Sequence, residues 1–199
     1  MIHKQGYANR PLSVICTART GSSLLMKILE KHGYWTGGDK TIRPRHPVGC
    51  FENLGIQFGI LRRSIKAPGS LNAKILRKQV MDRISSQGYQ GRHRWAFKLF
   101  VAFFDIWTEC FPESTYIFLR RDIEAVKRSR SRVGLAHRGE ALERYKKVEE
   151  CVKDTAFFVD YENIISGDYS QLEPVFKKEG IKFNREIIDD CVEPGLKHF

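Results

Sequence analysis

Residues 12–34 read LSVICTARTGSSLLMKILEKHGY. The first five are a mostly apolar, strand-like run, and Leu24, Leu25, Ile28 and Leu29 then recur at helical spacing. Residues 17–23 are therefore a strand-to-helix turn, rich in hydroxyls around a single glycine. A helix starting near Ser22 points its unpaired N–H groups and the positive end of its dipole back at that turn, which suits a tetrahedral oxyanion. The sequence is not the familiar G-x-x-x-x-G-K-[ST] loop, because Ser22 stands where its lysine would be and the basic residue, Arg19, comes before the glycine. Gly21 permits close backbone approach, Thr20, Ser22 and Ser23 bring hydroxyls, and Arg19 brings a delocalised charge. An ordinary βα turn with a serine cap has the same look, so the loop alone decides nothing.

Outward from this stretch, further apolar β-prone runs occur at 95–100, 115–119 and 156–161. Segments with helical spacing separate them: Leu76, Val80 and Ile84 behind a Ser70 cap, then 122–133, 140–152, 169–179 and a short 185–191. Near-continuous apolar strands alternating with helices predict an α/β fold with a central parallel sheet flanked by helices, a three-layer sandwich like that of the P-loop NTPases. Ligands in such folds sit at the carboxyl ends of the strands, which singles out the loops after Cys16 and Leu119. Residues 36–69 have weak periodicity and several prolines; they read as a substrate-side loop or lid with a short helix around 56–65.

The 199 residues, 42% of them hydrophobic, suit one domain spanning 1–199. The start lacks the apolar core of a signal peptide, and no apolar run approaches the roughly 20 residues that span a bilayer, so a cytoplasmic protein with no transmembrane segment is expected. Five scattered cysteines form no C-x-x-C pair and read as reduced thiols; the histidines show no ligand spacing, and no metal is expected. The net charge is +11 and unevenly spread: residues 1–100 carry 18 Lys/Arg against 4 Asp/Glu, whereas 101–199 carry 16 against 19. The first half should meet an anion.

The second loop lies in YIFLRRDIEAVKRSRSR, residues 116–132, with Arg120 and Arg121 at the strand end, Asp122 at the cap and Ser129 eight residues after Arg121. Together the two loops resemble those of sulfotransferases. The A-R-T-G-S-S segment is similar to the family's 5′-phosphosulfate loop, and FLRRDIEAVKRS to its 3′-phosphate motif R-[DH]-P-x-x-[AV]-x-x-S. HPVGCFENLGI (46–56) resembles the G-[FY]-F-E-N stretch of bacterial members. The segment 159–183, VDYENIISGDYSQLEPVFKKEGIKF, resembles their Y-E-x-L and LGI-x-F segments, and VEPGLKHF (192–199) their D-P-x-L-[RK]-H ending. Ile123 replaces the usual proline, and AFKLFVAFF (96–104) keeps Lys98 but lacks the K-D-P-R often found there.

The resemblance implies in-line transfer of a sulfuryl group from 3′-phosphoadenosine 5′-phosphosulfate to an acceptor hydroxyl or amine, with no metal required. Arg19, Thr20, Gly21, Ser22 and Ser23 would hold the phosphosulfate, with Arg19 also acting catalytically on the leaving group. Arg121 and Ser129 would hold the 3′-phosphate, with Arg120 and Lys197 as further candidates. Glu52 is the candidate base, its pKa raised with help from Phe51; His46 is its rival, and Lys98 a candidate catalytic cation. Tyr161 and Glu162 read as structural, and the three tryptophans as core. A nucleotide kinase with a degenerate loop is the competing enzyme class, disfavoured by the absent lysine. A basic nucleic-acid-binding protein is the competing non-enzyme, disfavoured by the absence of any recognised motif. The acceptor stays open, with a carbohydrate or another anionic molecule among the choices, and so does the oligomeric state.

Overall fold

Every residue of β1 (Leu12–Cys16) is buried, as an apolar run of this length requires of a strand covered on both faces. The computed structural model of the protein describes residues 10–37, 51–66, 72–132, 134 and 139–192. After β1 come α1 (Ser22–Lys31), a π-helix (Gly55–Leu61) running into α2 (Arg62–Lys66), and α3 (Ala73–Ser86). The chain continues through β2 (Ala96–Phe100), a 3₁₀ turn (Val101–Phe103), α4 (Phe104–Cys110), β3 (Thr115–Arg120) and α5 (Ile123–Arg132). It ends with α6 (Gly139–Cys151), β4 (Phe157–Asp160), α7 (Tyr161–Ser166), α8 (Glu173–Lys178) and α9 (Arg185–Cys191).

The four strands form one parallel sheet in the order β2-β1-β3-β4. Leu12 lies opposite Ala96 on one side and Thr115 on the other, so β1 is central and the strand order reverses around it. The period-two alternation of strands divides the core in two. Leu12, Val14, Ile117, Leu119 and Val159 join a cluster with residues of α1 and α7–α9. Ile15, Phe97, Leu99, Tyr116 and Phe118 join another with α3, α4 and α6. The expected three-layer α/β architecture with a parallel sheet is therefore present.

Some local expectations differ. Helix α3 is capped by Asn72, whose side chain accepts from the Lys74 N–H at 2.6 Å; Ser70 lies outside the described residues. The helix expected over 169–179 begins only at Glu173, where Pro174 fits a first helical turn that needs no N–H. Helix α4 was not anticipated, because VAFFDIW packs aromatic residues on several sides and hides its period. Its Trp107 is fully buried and donates its indole N–H to Ser13 Oγ at 2.8 Å, tying α4 to the central strand. Of the segment 36–69, residues 38–50 and 67–69 lie outside the described residues, and the expected short helix is present as the π-helix and α2.

Candidate active site

The loop after β1 is built around two left-handed residues, Arg19 (φ 76°) and Gly21 (φ 88°). Thr20 is fully buried and donates its hydroxyl to the Thr17 carbonyl at 2.9 Å, closing the turn from inside. Gly21 caps α1 and, having no side chain, makes no side-chain cap bond to the helix's first turn. The N–H groups there retain the arrangement that binds anions. The glycine is obligatory for a second reason: a Cβ at this position would fall 2.1 Å from Cδ2 of Tyr161. Tyr161, read from sequence as merely structural, is the floor of the loop. Burial pushes its phenol upward in pKa, and the nearby Arg121 charge opposes the shift.

The two candidate anion loops meet. Arg19 Nε donates to Ser129 Oγ at 2.9 Å, and Arg121 Nη1 donates to the Arg19 carbonyl at 2.9 Å. The Arg121 guanidinium lies 4.3 Å from the centroid of the Tyr161 ring, and its Nε is 3.9 Å from Glu162 Oε1. Three of the candidate ligands of the donor, 110 residues apart at the extreme, thus share one hydrogen-bonded patch at the carboxyl ends of β1 and β3. Arg120 stands apart: its side chain makes a two-pronged bond to Asp160, at 2.7 and 2.9 Å, and Gln171 also donates to that carboxylate.

A second group forms beside the first. Lys98 shares a face of β2 with Ala96, the face toward α1, and is 6% exposed. Its Nζ lies 3.2 Å from Glu52 Oε1 and 3.5 Å from Ser23 Oγ. Ser22 is buried next to the Cys16 thiol. Burial pushes that thiol up to about 11, with Lys98 and Ser22 opposing the rise.

The segment carrying Glu52 is pinned on both sides. Phe51 (φ 48°) is buried in the core, and Asn53 bonds both the Ile56 N–H and Gln87, the latter at 2.6 Å. Gln57, fully buried in the π-helix, donates to the Lys98 carbonyl at 2.8 Å. It therefore fixes the acid's segment to the strand that carries the lysine. Turns of π-helix are rare and concentrate at functional sites. No local pattern could have revealed Gln57 or Tyr161, since each acts through a residue distant in sequence. His46 and Lys197 lie outside the described residues. Among the described residues, no group of three or more His, Cys, Asp or Glu is placed to hold a metal, and no helix is long and apolar enough to cross a membrane.

The architecture defines a class, the sulfotransferase fold, and comparison with a solved structure supports it. The sulfotransferase domain from the Synechococcus PCC 7002 olefin synthase superimposes with a TM-score of 0.54 over 100% of this chain and 86% of that one, at 17% identity. Sulfotransferases STF1 of Mycobacterium tuberculosis H37Rv and STF9 of Mycobacterium avium give TM-scores of 0.47 and 0.44 at 12% and 14% identity, over 92% and 96% of this chain and 70% and 68% of theirs. At such identities the likeness is one of fold. No protein-family model and no curated protein matches the chain.

Proposed function

We propose that this chain is a sulfotransferase that moves the sulfuryl group of 3′-phosphoadenosine 5′-phosphosulfate to a hydroxyl or amine of an acceptor. The observation that carries this reading is the bond from Arg19 to Ser129, with Arg121 on the Arg19 carbonyl: it joins two anion loops into one surface. A donor with phosphate at both ends of an adenosine needs such a surface. The donor set fits it, because the glycine-capped α1 terminus, Ser23 and Arg19 suit the phosphosulfate while Arg121 and Ser129 suit the 3′-phosphate.

In the transfer, Glu52 takes the acceptor proton as the acceptor oxygen or nitrogen bonds to sulfur and the sulfur–phosphate oxygen bond breaks. Arg19 and the amides of residues 21–23 stabilise the negative charge arriving on the released phosphate. Lys98 orients the Glu52 carboxylate and adds positive charge beside Ser23. The whole chain would serve as one catalytic domain, with 36–69 on the acceptor side. We place it in the cytoplasm, a reducing setting that suits the thiols of Cys16, Cys110 and Cys151.

The test is calorimetry with the product nucleotide, 3′-phosphoadenosine 5′-phosphate, at about 0.1 M salt. One saturable site is expected, weakened roughly tenfold or more by Arg121→Gln or Ser129→Ala. Glu52→Gln should retain nucleotide binding and lose transfer by about 10²-fold or more. The absence of saturable binding to the folded wild-type chain would overturn the proposal.

A further inference from the structure

One side chain from a third element touches both halves of the proposed donor site. Tyr161 opens α7, directly behind β4, and is 4% exposed. Its ring lies so close under the first loop that residue 21 has no room for a Cβ. The same ring faces the Arg121 guanidinium of the second loop at 4.3 Å, and Arg121 in turn donates to the Arg19 carbonyl at 2.9 Å. We propose that Tyr161 is a positioning residue that couples the two ends of the donor site, so that filling either loop tightens the other around the nucleotide; the statement rests on the donor reading above.

The place of the ring follows from the register of the sheet. Arg120 lies opposite Asp160 across β3 and β4, and the two side chains form the two-pronged ion pair at 2.7 and 2.9 Å. Gln171 closes this frame: it donates to the Asp160 carboxylate and accepts the Asp160 N–H, both at 2.7 Å. The two arginines therefore divide the work, Arg120 fixing the residue before Tyr161 and Arg121 resting on the ring itself. A ring face attracts a guanidinium without consuming its N–H donors, whereas a carboxylate consumes them. The ring is thus a support that does not compete with a phosphate for those donors. Two phosphates on one nucleotide repel each other, and that alone makes their binding less than additive. A support shared by both loops acts in the opposite sense, because the first phosphate to bind orders the ring and Arg121 for the second.

The test is a ligand cycle of adenosine, its 5′-monophosphate, its 3′-monophosphate and 3′-phosphoadenosine 5′-phosphate, measured by competition calorimetry at fixed ionic strength. Adding the 3′-phosphate to the 5′-monophosphate is expected to gain about tenfold more affinity than adding it to adenosine. That excess should persist in Tyr161→Phe, which keeps the ring, and vanish in Tyr161→Met, which fills the space without one. A residue that merely supports the fold would weaken all four ligands by one factor and leave the excess intact. Should Tyr161→Met not fold, NMR of the wild type still decides. The Tyr161 ring signals, assigned through the Phe variant, must shift with each monophosphate taken singly, beyond any change that adenosine causes. The proposal is overturned by equal gains in the wild type, by an excess that survives in Tyr161→Met, by its loss in Tyr161→Phe, or by ring signals that answer one monophosphate alone. Any of these results with the bisphosphate bound sinks the coupling and keeps the donor reading; no binding of the bisphosphate to the folded wild type sinks both.

Discussion

Gly21 shows how much one missing Cβ carries. Its φ of 88° is left-handed, and the space a methyl would need is filled by the Tyr161 ring. Gly21→Ala combines backbone strain with overpacking, so it should lower unfolding stability by about 2–4 kcal/mol in urea titration. Adding Tyr161→Ala should recover the packing part and leave the strain. Cys16 offers a pH prediction of definite sign. Its thiol is pushed from 9.0 in free form to about 11 when folded, so the folded state holds the proton more tightly. That contribution to stability is complete below the unfolded value and is lost as pH rises through the folded one. Urea midpoints should therefore fall between about pH 9 and 11, and fall less steeply in Cys16→Ala; Cys110, also raised to about 11, supplies part of the remaining slope. Individual residues were legible in the sequence where the role is local, as for Gly21 in its turn. Glu52 and Lys98, or Arg19 and Ser129, become partners only through tertiary structure, because nothing near either residue encodes the other.

At the level of elements, caps and cross-links set where each piece sits. Asn72 accepts the Lys74 N–H at the start of α3, and Asn72→Ala should cost about 1 kcal/mol while Asn72→Asp costs little, as chemical denaturation would show. Helix α4 hangs on a different device, the Trp107 indole bonded to Ser13. Ser13→Ala leaves that buried N–H unanswered and should cost about 1–3 kcal/mol by the same measurement, whereas Ser13→Thr can keep the bond. Elements with a clean period, β1, α1, β3 and α5, could be read from the sequence within a residue or two. A short helix over 56–65 could be read but its π form could not, since the wider turn is held from outside the local pattern: Asn53 accepts from the Ile56 N–H, and Gln57 reaches out to the Lys98 carbonyl.

For the molecule as a whole, the parallel α/β architecture followed from four apolar runs separated by helical spacing, while strand order did not, because order depends on which crossover takes which side. The charge asymmetry was visible at once but its use was not: basic residues of the first half supply Arg19 and Lys98 to the proposed donor site. If those charges attract the donor nucleotide, its affinity should weaken several-fold between about 0.05 and 0.5 M NaCl, with a smaller slope in Arg121→Gln, measured by calorimetry across a salt series. The strand order has its own consequence. Among the described strands β1 is the first to leave the ribosome, yet both of its neighbours, β2 and β3, lie about 80 to 100 positions later. During synthesis the run LSVIC must wait, apolar and unpaired on both edges, and slow non-local pairing of this kind favours aggregation. A nascent chain halted before residue 115 should need chaperone cover, and release of the block should convert it to a protease-resistant state only once β3 has emerged to close the second edge.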